Sequence, residues 1–233
     1  GLDKLAEFIK SLNIKNGASA DLNAAAAKYI NPEKEVKSAE EALKGASDIL
    51  AEEVAEKAQL RAYLRELLLE EGVFVSRIKD EYPEGTTKYE MYRDYQMKVS
   101  NIAPHNMLAL CRGDKEKILS YEIAFDEDYV LSYLESQEIR TKQPDIRKFY
   151  QQMLKDAFNR LMKNSLANEV ISEKKQYADI ESIKTFETNL RNLLLSAPAG
   201  MKPAIAIDPG FRTGCKVAIL DETGKFLEYQ AIF

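Results

Sequence analysis

Apolar residues recur every three or four positions through most of the first 200 residues, which is the spacing of amphipathic helices. A first helix is predicted to end at Gly17, and a second one, rich in alanine, at Asn31. Ser38 and Glu41 have the spacing of a capping box, so a third helical pattern begins at Ser38 and continues to Gly72. We expect these helices to pack together as a bundle.

A β-hairpin is predicted between two helical regions. Residues 106–111 are predicted as its first strand, 112–115 as the turn, and 118–125, which alternates apolar and polar side chains, as the return strand. Three tyrosines, Tyr89, Tyr92 and Tyr95, precede this hairpin. Tyrosine rings can stack on bases, but their spacing of three favours packing against neighbouring helices.

The helical period returns at Asp126 and continues to Leu194, after which residues 197–200 have the composition of a linker. Beyond the linker the apolar pattern becomes extended, with predicted strands at 204–207, 215–220 and 225–233. We therefore predict a mainly α region over residues 1–200 with the inserted β-hairpin. The first strands of an α/β domain follow over residues 203–233.

Asp208 lies at the end of the first of these late strands, and Gly210 and Gly214 bracket the turn that follows it. This arrangement resembles the opening of RNase H-like domains of the YqgF and RuvC type, in which the first-strand carboxylate is a metal ligand. Phosphodiester hydrolysis of that kind uses two cations about 3.5–4 Å apart, held by several carboxylates. One such carboxylate is present here, so we expect no nuclease activity. Asp208 is then a vestigial ligand or part of a plain turn.

Five stretches, in the same order along the chain, resemble the Tex family of transcription accessory proteins. Residues 104–113 resemble its Pro-x-His-x-x-Leu-Ala-x-x-Arg-Gly stretch, although here His105 follows the proline directly. Residues 208–216 resemble its Asp-Pro-Gly-x-Arg-Thr-Gly-x-Lys stretch. The remaining three are 31–33, 46–52 and 190–200. The resemblance therefore extends over nearly the whole chain.

The Tex resemblance implies a bacterial, cytoplasmic protein that binds RNA or DNA and acts with the transcription machinery. In that family a helical region precedes a YqgF-like domain, helix-hairpin-helix elements and an OB-fold RNA-binding module, which is the expected main nucleic-acid contact. The RNase H-like domain of the family lacks a full catalytic set. The resemblance thus implies a scaffold segment and not an enzyme.

The charge of the chain agrees with a scaffold. The chain of 233 residues has a formal net charge of −5, whereas dedicated nucleic-acid-binding domains are usually basic. One stretch, 139–164, nevertheless holds seven basic residues against two acidic ones. Its candidate phosphate contacts are Arg140, Lys142, Arg147, Lys148, Arg160 and Lys163. Arg212 and Lys216, which flank the late turn, are further candidates, and a solvated helix surface with local ion pairs is the alternative.

Other residues suggest little additional chemistry. Cys111 and Cys215 are far apart and have the character of reduced, buried thiols, and the single histidine, His105, has no visible catalytic partner. We expect no cofactor, no metal and, since no apolar run approaches about 20 residues, no membrane. The chain starts at Gly1 and stops inside an apolar strand, so we expect an internal piece of a longer protein.

Three functions remain open at this point. The favoured one is a non-enzymatic scaffold segment of a nucleic-acid-binding transcription factor. The second is a fragment of a metal-dependent nuclease or junction resolvase, which would need acidic residues on further strands. The third is a protein-interaction module for the transcription or translation machinery, which the acidic, helix-rich first part of the chain would suit.

Overall fold

The computed structural model describes residues 1–14, 21–197, 200–210 and 214–233, which fold as two units, Gly1–Ile183 and Lys184–Phe233. The α-helices are α1 (Asp3–Ile14), α2 (Leu22–Ala27), α3 (Ala39–Ala55), α4 (Ala58–Glu70), α5 (Pro104–Lys115), α6 (Glu127–Glu138), α7 (Pro144–Asp156) and α8 (Lys163–Leu194). The strands are β1 (Val73–Ile78), β2 (Gln96–Lys98), β3 (Leu119–Ala124), β4 (Ala204–Gly210), β5 (Gly214–Leu220) and β6 (Phe226–Ile232). The mainly helical class predicted from the sequence is confirmed.

Helix α3 begins where the capping signal predicted. The Ser38 hydroxyl accepts from the Glu41 N–H at 3.2 Å, while the Glu41 carboxylate accepts from the N–H of Lys37. The predicted continuous pattern to Gly72 is wrong, because Lys57 takes an extended conformation and separates α3 from α4. Neither glycine nor proline marks this break, so the apolar period runs across it unchanged.

The sheet of the first unit has the order β2-β1-β3, with both pairs antiparallel. Strand β3 agrees with the predicted return strand, but its partner is β1, with Phe74 opposite Ile123 and Ile78 opposite Leu119. The predicted first strand at 106–111 is wrong, because these residues belong to α5. The hairpin expected at 106–125 is therefore a helix followed by one strand of a three-stranded sheet.

Helix α5 forms for reasons that are visible in its sequence. Pro104 occupies the first helical turn, where its missing N–H costs nothing, and the buried positions Met107, Leu110 and Gly113 are three apart. A short apolar run is compatible with both a helix and a strand, and here the spacing of three between the buried residues corresponds to a helix. Gly113 lies against the buried Leu119 side chain, where a Cβ would come within 2.6 Å, so α5 packs closely on β3.

The segment between β1 and β2 is held by one arginine. The Arg93 guanidinium donates to the backbone carbonyls of Tyr82 and Pro83, both at 3.1 Å, and to the carboxylate of Glu90. Tyr89 and Tyr92 are buried, which confirms that they pack inside the protein and leaves their rings inaccessible to bases.

Helices α7 and α8 are joined without a loop by a π-helical segment, Ala157–Met162. Phe158 and Met162 of this segment are buried, and the core continues along α8 through Leu166 and Val170. Helix α8 then continues without a break to Leu194.

In the second unit, β4, β5 and β6 form an antiparallel sheet in that order, as the extended pattern predicted. The Asp221 carboxylate organises the β5–β6 turn by accepting from the N–H groups of Thr223 and Lys225, at 2.8 and 3.0 Å. Strand β4 continues through Asp208 and Pro209 to Gly210, where a break was predicted. Proline is tolerated there because β4 is an edge strand.

Candidate nucleic-acid interface

Three of the seven basic residues in the 139–164 stretch are neutralised within the fold. Arg160 forms ion pairs with Asp48 at 2.8 Å and Asp156 at 2.7 Å. The hydrogen bond to the Asp156 carboxylate raises the pKa of Arg160 above its ordinary value. Arg147 lies 3.5 Å from Glu135 and Lys163 lies 2.7 Å from Glu127. These three side chains hold helices together and offer little free charge to a phosphate.

Four basic side chains of the same stretch remain available: Arg140, Lys142, Lys148 and Lys155. All are exposed, and none forms an ion pair within the described residues. Lys148 and Lys155 are seven residues apart and so share one side of α7, opposite its buried positions such as Ile146. We call Lys148 and Lys155 the α7 basic face, whereas Arg140 and Lys142 lie in the loop before α7. The structure therefore keeps Arg140, Lys142 and Lys148 as candidates and adds Lys155.

The backbone that carries Arg140 is fixed by a buried side chain from α1. Asn13, which is 5% exposed, donates from Nδ2 to the carbonyl of Glu138 at 2.8 Å. Its Oδ1 accepts from the N–H groups of Arg140 and Thr141, at 2.9 and 3.3 Å. The Thr141 hydroxyl in turn accepts from the N–H of Gln143, at the start of α7. Nothing in the local sequence around Asn13 indicates this role.

A cleft of about 600 Å³ lies beside this loop, and we call it the Arg140 cleft. Its wall and floor include Lys10, Asn13, Glu53, Lys57, Gln59, Tyr133, Gln137, Glu138, Arg140, Tyr150 and Met153. Lys57 lies 2.6 Å from both carboxylate oxygens of Glu138, and Lys10 pairs with Glu53. Because these two pairs cancel, Arg140 carries the net charge among the described residues that line the cleft.

Burial changes the chemistry of the tyrosine on the cleft floor. The surrounding apolar side chains raise the pKa of Tyr150 to about 12, chiefly by desolvation, so its hydroxyl stays neutral at physiological pH. Tyr150 and Asn13 therefore contribute polar, uncharged atoms at the base of the cleft.

In the second unit, Asp208 and Lys216 occupy paired positions on β4 and β5, and both are exposed. Arg212 lies outside the described residues. Across the part of the chain that the structure describes, no group of three or more His, Cys, Asp or Glu residues is placed to hold a metal ion. A lone carboxylate opposite a lysine does not supply the ligands for two divalent cations.

Comparison of the whole chain with known protein families agrees with this arrangement of helices and late strands. The Tex central region-like family matches residues 18–186, which is most of the chain. The chain belongs to the Tex family. Residues 202–233 match the Tex protein YqgF-like domain, so strands β4–β6 of this Tex segment fit the start of that domain.

Three relatives illustrate the match of this Tex segment. "Uncharacterized protein YdcI" of Bacillus subtilis is 36% identical over 234 residues, covering all of this chain and 32% of the relative. "Transcriptional accessory protein Tex" of Neisseria gonorrhoeae is 32% identical over 218 residues, covering 91% of this chain and 28% of the relative. The human "S1 RNA-binding domain-containing protein 1" is 26% identical over 201 residues, covering 81% of this chain and 20% of the relative. The Tex segment thus spans between a fifth and a third of these relatives.

No helix within the described residues combines the length and the apolar composition that are needed to cross a bilayer.

Proposed function

We propose that this Tex segment is a non-enzymatic scaffold of a nucleic-acid-associated transcription accessory factor, and that its α7 basic face makes weak phosphate contacts. One observation carries the proposal: four basic side chains of the 139–164 stretch are exposed and lack ion-pair partners among the described residues. The printed names of two relatives, a transcriptional accessory protein and an RNA-binding-domain protein, support the same class of ligand.

The acidic balance of the segment limits the strength of such a contact. A few exposed lysines attract phosphate through counterion release, which is strongly weakened by salt. We therefore expect binding at low salt that is largely lost at physiological salt. The main nucleic-acid contact of the whole protein would then lie in another part of it.

The test is fluorescence anisotropy with labelled single-stranded RNA and duplex DNA, titrated at several salt concentrations. The double variant Lys148→Glu/Lys155→Glu should lower the affinity for both nucleic acids at low salt. For the duplex, it should also reduce the slope of log affinity against log salt concentration by about 2. Lys28→Glu/Lys34→Glu is the charge-matched control, since both lysines are exposed and lie just after α2 and in the short turn beyond it. Equal losses in the two double variants would reject the α7 basic face.

The non-enzymatic part of the proposal has its own test. Branched DNA and RNA should stay uncut when incubated with this segment and Mg²⁺ or Mn²⁺. Metal-dependent cleavage that disappears in the Asp208→Asn variant would overturn the proposal and favour a nuclease.

A second candidate is a protein-interaction module for the transcription machinery, favoured by exposed apolar side chains in the second unit. Phe186, Leu190, Leu193 and Leu194 are 67%, 41%, 71% and 73% exposed. Exposed apolar side chains grouped in this way often mark protein contacts. Binding of purified RNA polymerase that survives nuclease treatment and is lost in Leu193→Glu, but not in Arg191→Glu, would support this module.

A further inference from the structure

Three tyrosines form a cluster between α4 and α6 that serves no role in the proposed phosphate contact. The rings of Tyr63 and Tyr133 are stacked, with centroids 3.9 Å apart and planes 17° from parallel. The hydroxyls of Tyr63 and Tyr129 lie 3.0 Å apart, and Tyr129 is 49% exposed. Tyr129 and Tyr133 are four residues apart on α6, which places them on one side of that helix.

Tyr133 belongs both to this cluster and to the Arg140 cleft. Tyr63 stacks on one face of its ring, while atoms of Tyr133 line the cleft together with Gln59 and Gln137. The cleft volume of about 600 Å³ lies in the range of roughly 300–1,000 Å³ that is typical of small-ligand sites. An aromatic wall, amide groups and one uncompensated arginine therefore meet in a space of molecular size.

The position of Arg140 differs from that of the other free cations. Its backbone N–H is held by the buried Asn13, whereas Lys148 and Lys155 extend from an open helix surface. The neighbouring charges in the cleft are Lys10, Glu53, Lys57 and Glu138, and they pair with one another. Arg140 thus offers a guanidinium whose five donors suit a phosphate, from a fixed backbone.

We propose that the Arg140 cleft binds one nucleotide of a single-stranded nucleic acid, with the base against Tyr133 and a phosphate at Arg140. The inference rests on the proposed function and deepens it by naming the class of strand. Base stacking on aromatic side chains requires a base that is not already stacked in a duplex. The cleft should therefore distinguish single strands from duplexes, which the open α7 basic face does not do.

The first test compares affinities for an oligouridylate of about eight nucleotides and for duplex DNA, at low salt. Arg140→Glu and Gln137→Glu both place a negative charge at the cleft, and both positions are exposed, so the fold is retained. Each variant should lower the affinity for the oligouridylate by about tenfold, while the affinity for duplex DNA should stay within about twofold of that of the unmodified protein. Lys155→Glu is the control, and it should lower the affinities for the two nucleic acids to a similar extent.

The second test locates the strand. An oligouridylate that carries one 5-iodouridine is crosslinked by light, and the modified residue is identified by mass spectrometry. A crosslink at Tyr133 is expected, and it should be lost in Gln137→Glu.

The outcomes separate the two proposals. Arg140→Glu could lower the affinities for both nucleic acids equally, with crosslinks at residues 142–155. That result would overturn single-strand binding in the cleft and leave the proposed phosphate contact of the α7 basic face in place. If neither nucleic acid binds at low salt, both proposals fail. If an acidic peptide displaces the oligouridylate at equal concentration, the cleft takes carboxylate chains and the single-strand inference is overturned.

Discussion

The side-chain amide of Asn13 donates to the backbone carbonyl of Glu138, which lies 125 residues further along the chain. The same side chain accepts from the N–H groups of Arg140 and Thr141. A single buried residue of α1 therefore satisfies one backbone group at the end of α6 and two in the loop that leads to α7. Both the Arg140 cleft and the start of α7 depend on this arrangement.

Asn13→Ala should destabilise the protein, because it leaves three buried or partly buried backbone groups without these partners. The expected cost is about 1–3 kcal/mol, measured as a lower free energy of unfolding in urea. Asn23→Ala is the control, because the Asn23 side chain is exposed on α2, and its change should stay within about 0.5 kcal/mol. Equal stability of the two variants would show that the Asn13 bonds contribute nothing.

Gly113→Ala and Gly45→Ala should have opposite effects although both lie inside helices. A Cβ at Gly113 would lie 2.6 Å from the buried Leu119 side chain, and the overpacking should cost about 1–3 kcal/mol. Among the described residues, a Cβ at Gly45 meets only the Leu2 side chain, which is flexible and partly buried. Since that side chain can move, the better helix propensity of alanine should stabilise by up to about 1 kcal/mol. Thermal unfolding distinguishes the two, and destabilisation of equal size would contradict the packing argument.

The stability of the segment between β1 and β2 should depend on acid pH through Glu90. The hydrogen bond from Arg93 lowers the pKa of Glu90 from 4.5 to about 2. A carboxylate whose pKa is lowered in the folded state stabilises that state at pH values above its pKa in the unfolded chain. This contribution is lost as the pH falls towards the folded-state pKa. The stabilisation is thus complete above pH 4.5 and disappears towards pH 2.

Thermal midpoints measured across that pH range should therefore fall less steeply in Glu90→Gln than in the unmodified protein. Glu81→Gln, an exposed position of the same segment, should keep the unmodified slope. Parallel curves for all three proteins would reject the role of the Glu90–Arg93 pair.

Arg160 and Lys148 should differ in their effect on nucleic-acid binding, although the sequence ranks them alike. Arg160 is held by Asp48 and Asp156, so Arg160→Ala should leave affinity within about twofold. Lys148→Ala removes a free charge and should weaken low-salt binding by about threefold. Anisotropy titrations of the two variants provide the comparison, and a larger loss in Arg160→Ala would mean that its ion pairs open to the ligand.

The sequence predicts elements well where one period dominates over a long stretch. The capping residue Ser38 and the three late strands were found because cap and strand signals are local. The helix over 104–115 was mistaken for a strand because its apolar run is short and fits both periods. Pairing of β1 with β3 is non-local, and no short-range signal in the sequence indicates it.

The candidate site was predictable only as a set of basic residues. The sequence cannot show that Glu127, Glu135 and Asp48 neutralise three of them, because these acids come from other helices. Asn13 and the Tyr63–Tyr133 stack were missed for the same reason, since both join residues far apart in the chain.

The π-helical segment between α7 and α8 has a consequence for how the chain tolerates changes in length. A π turn contains one residue more than an α turn, so loss of one residue there can restore a regular α-helix. Loss of one residue within α8 instead rotates every later side chain by about 100°. Deletion of Asn159 should thus preserve the thermal midpoint better than deletion of Asn168, both of which are exposed. Single-residue gaps between homologous genes are expected to accumulate at 157–162, where a gene can gain or lose a codon without rotating the rest of α8.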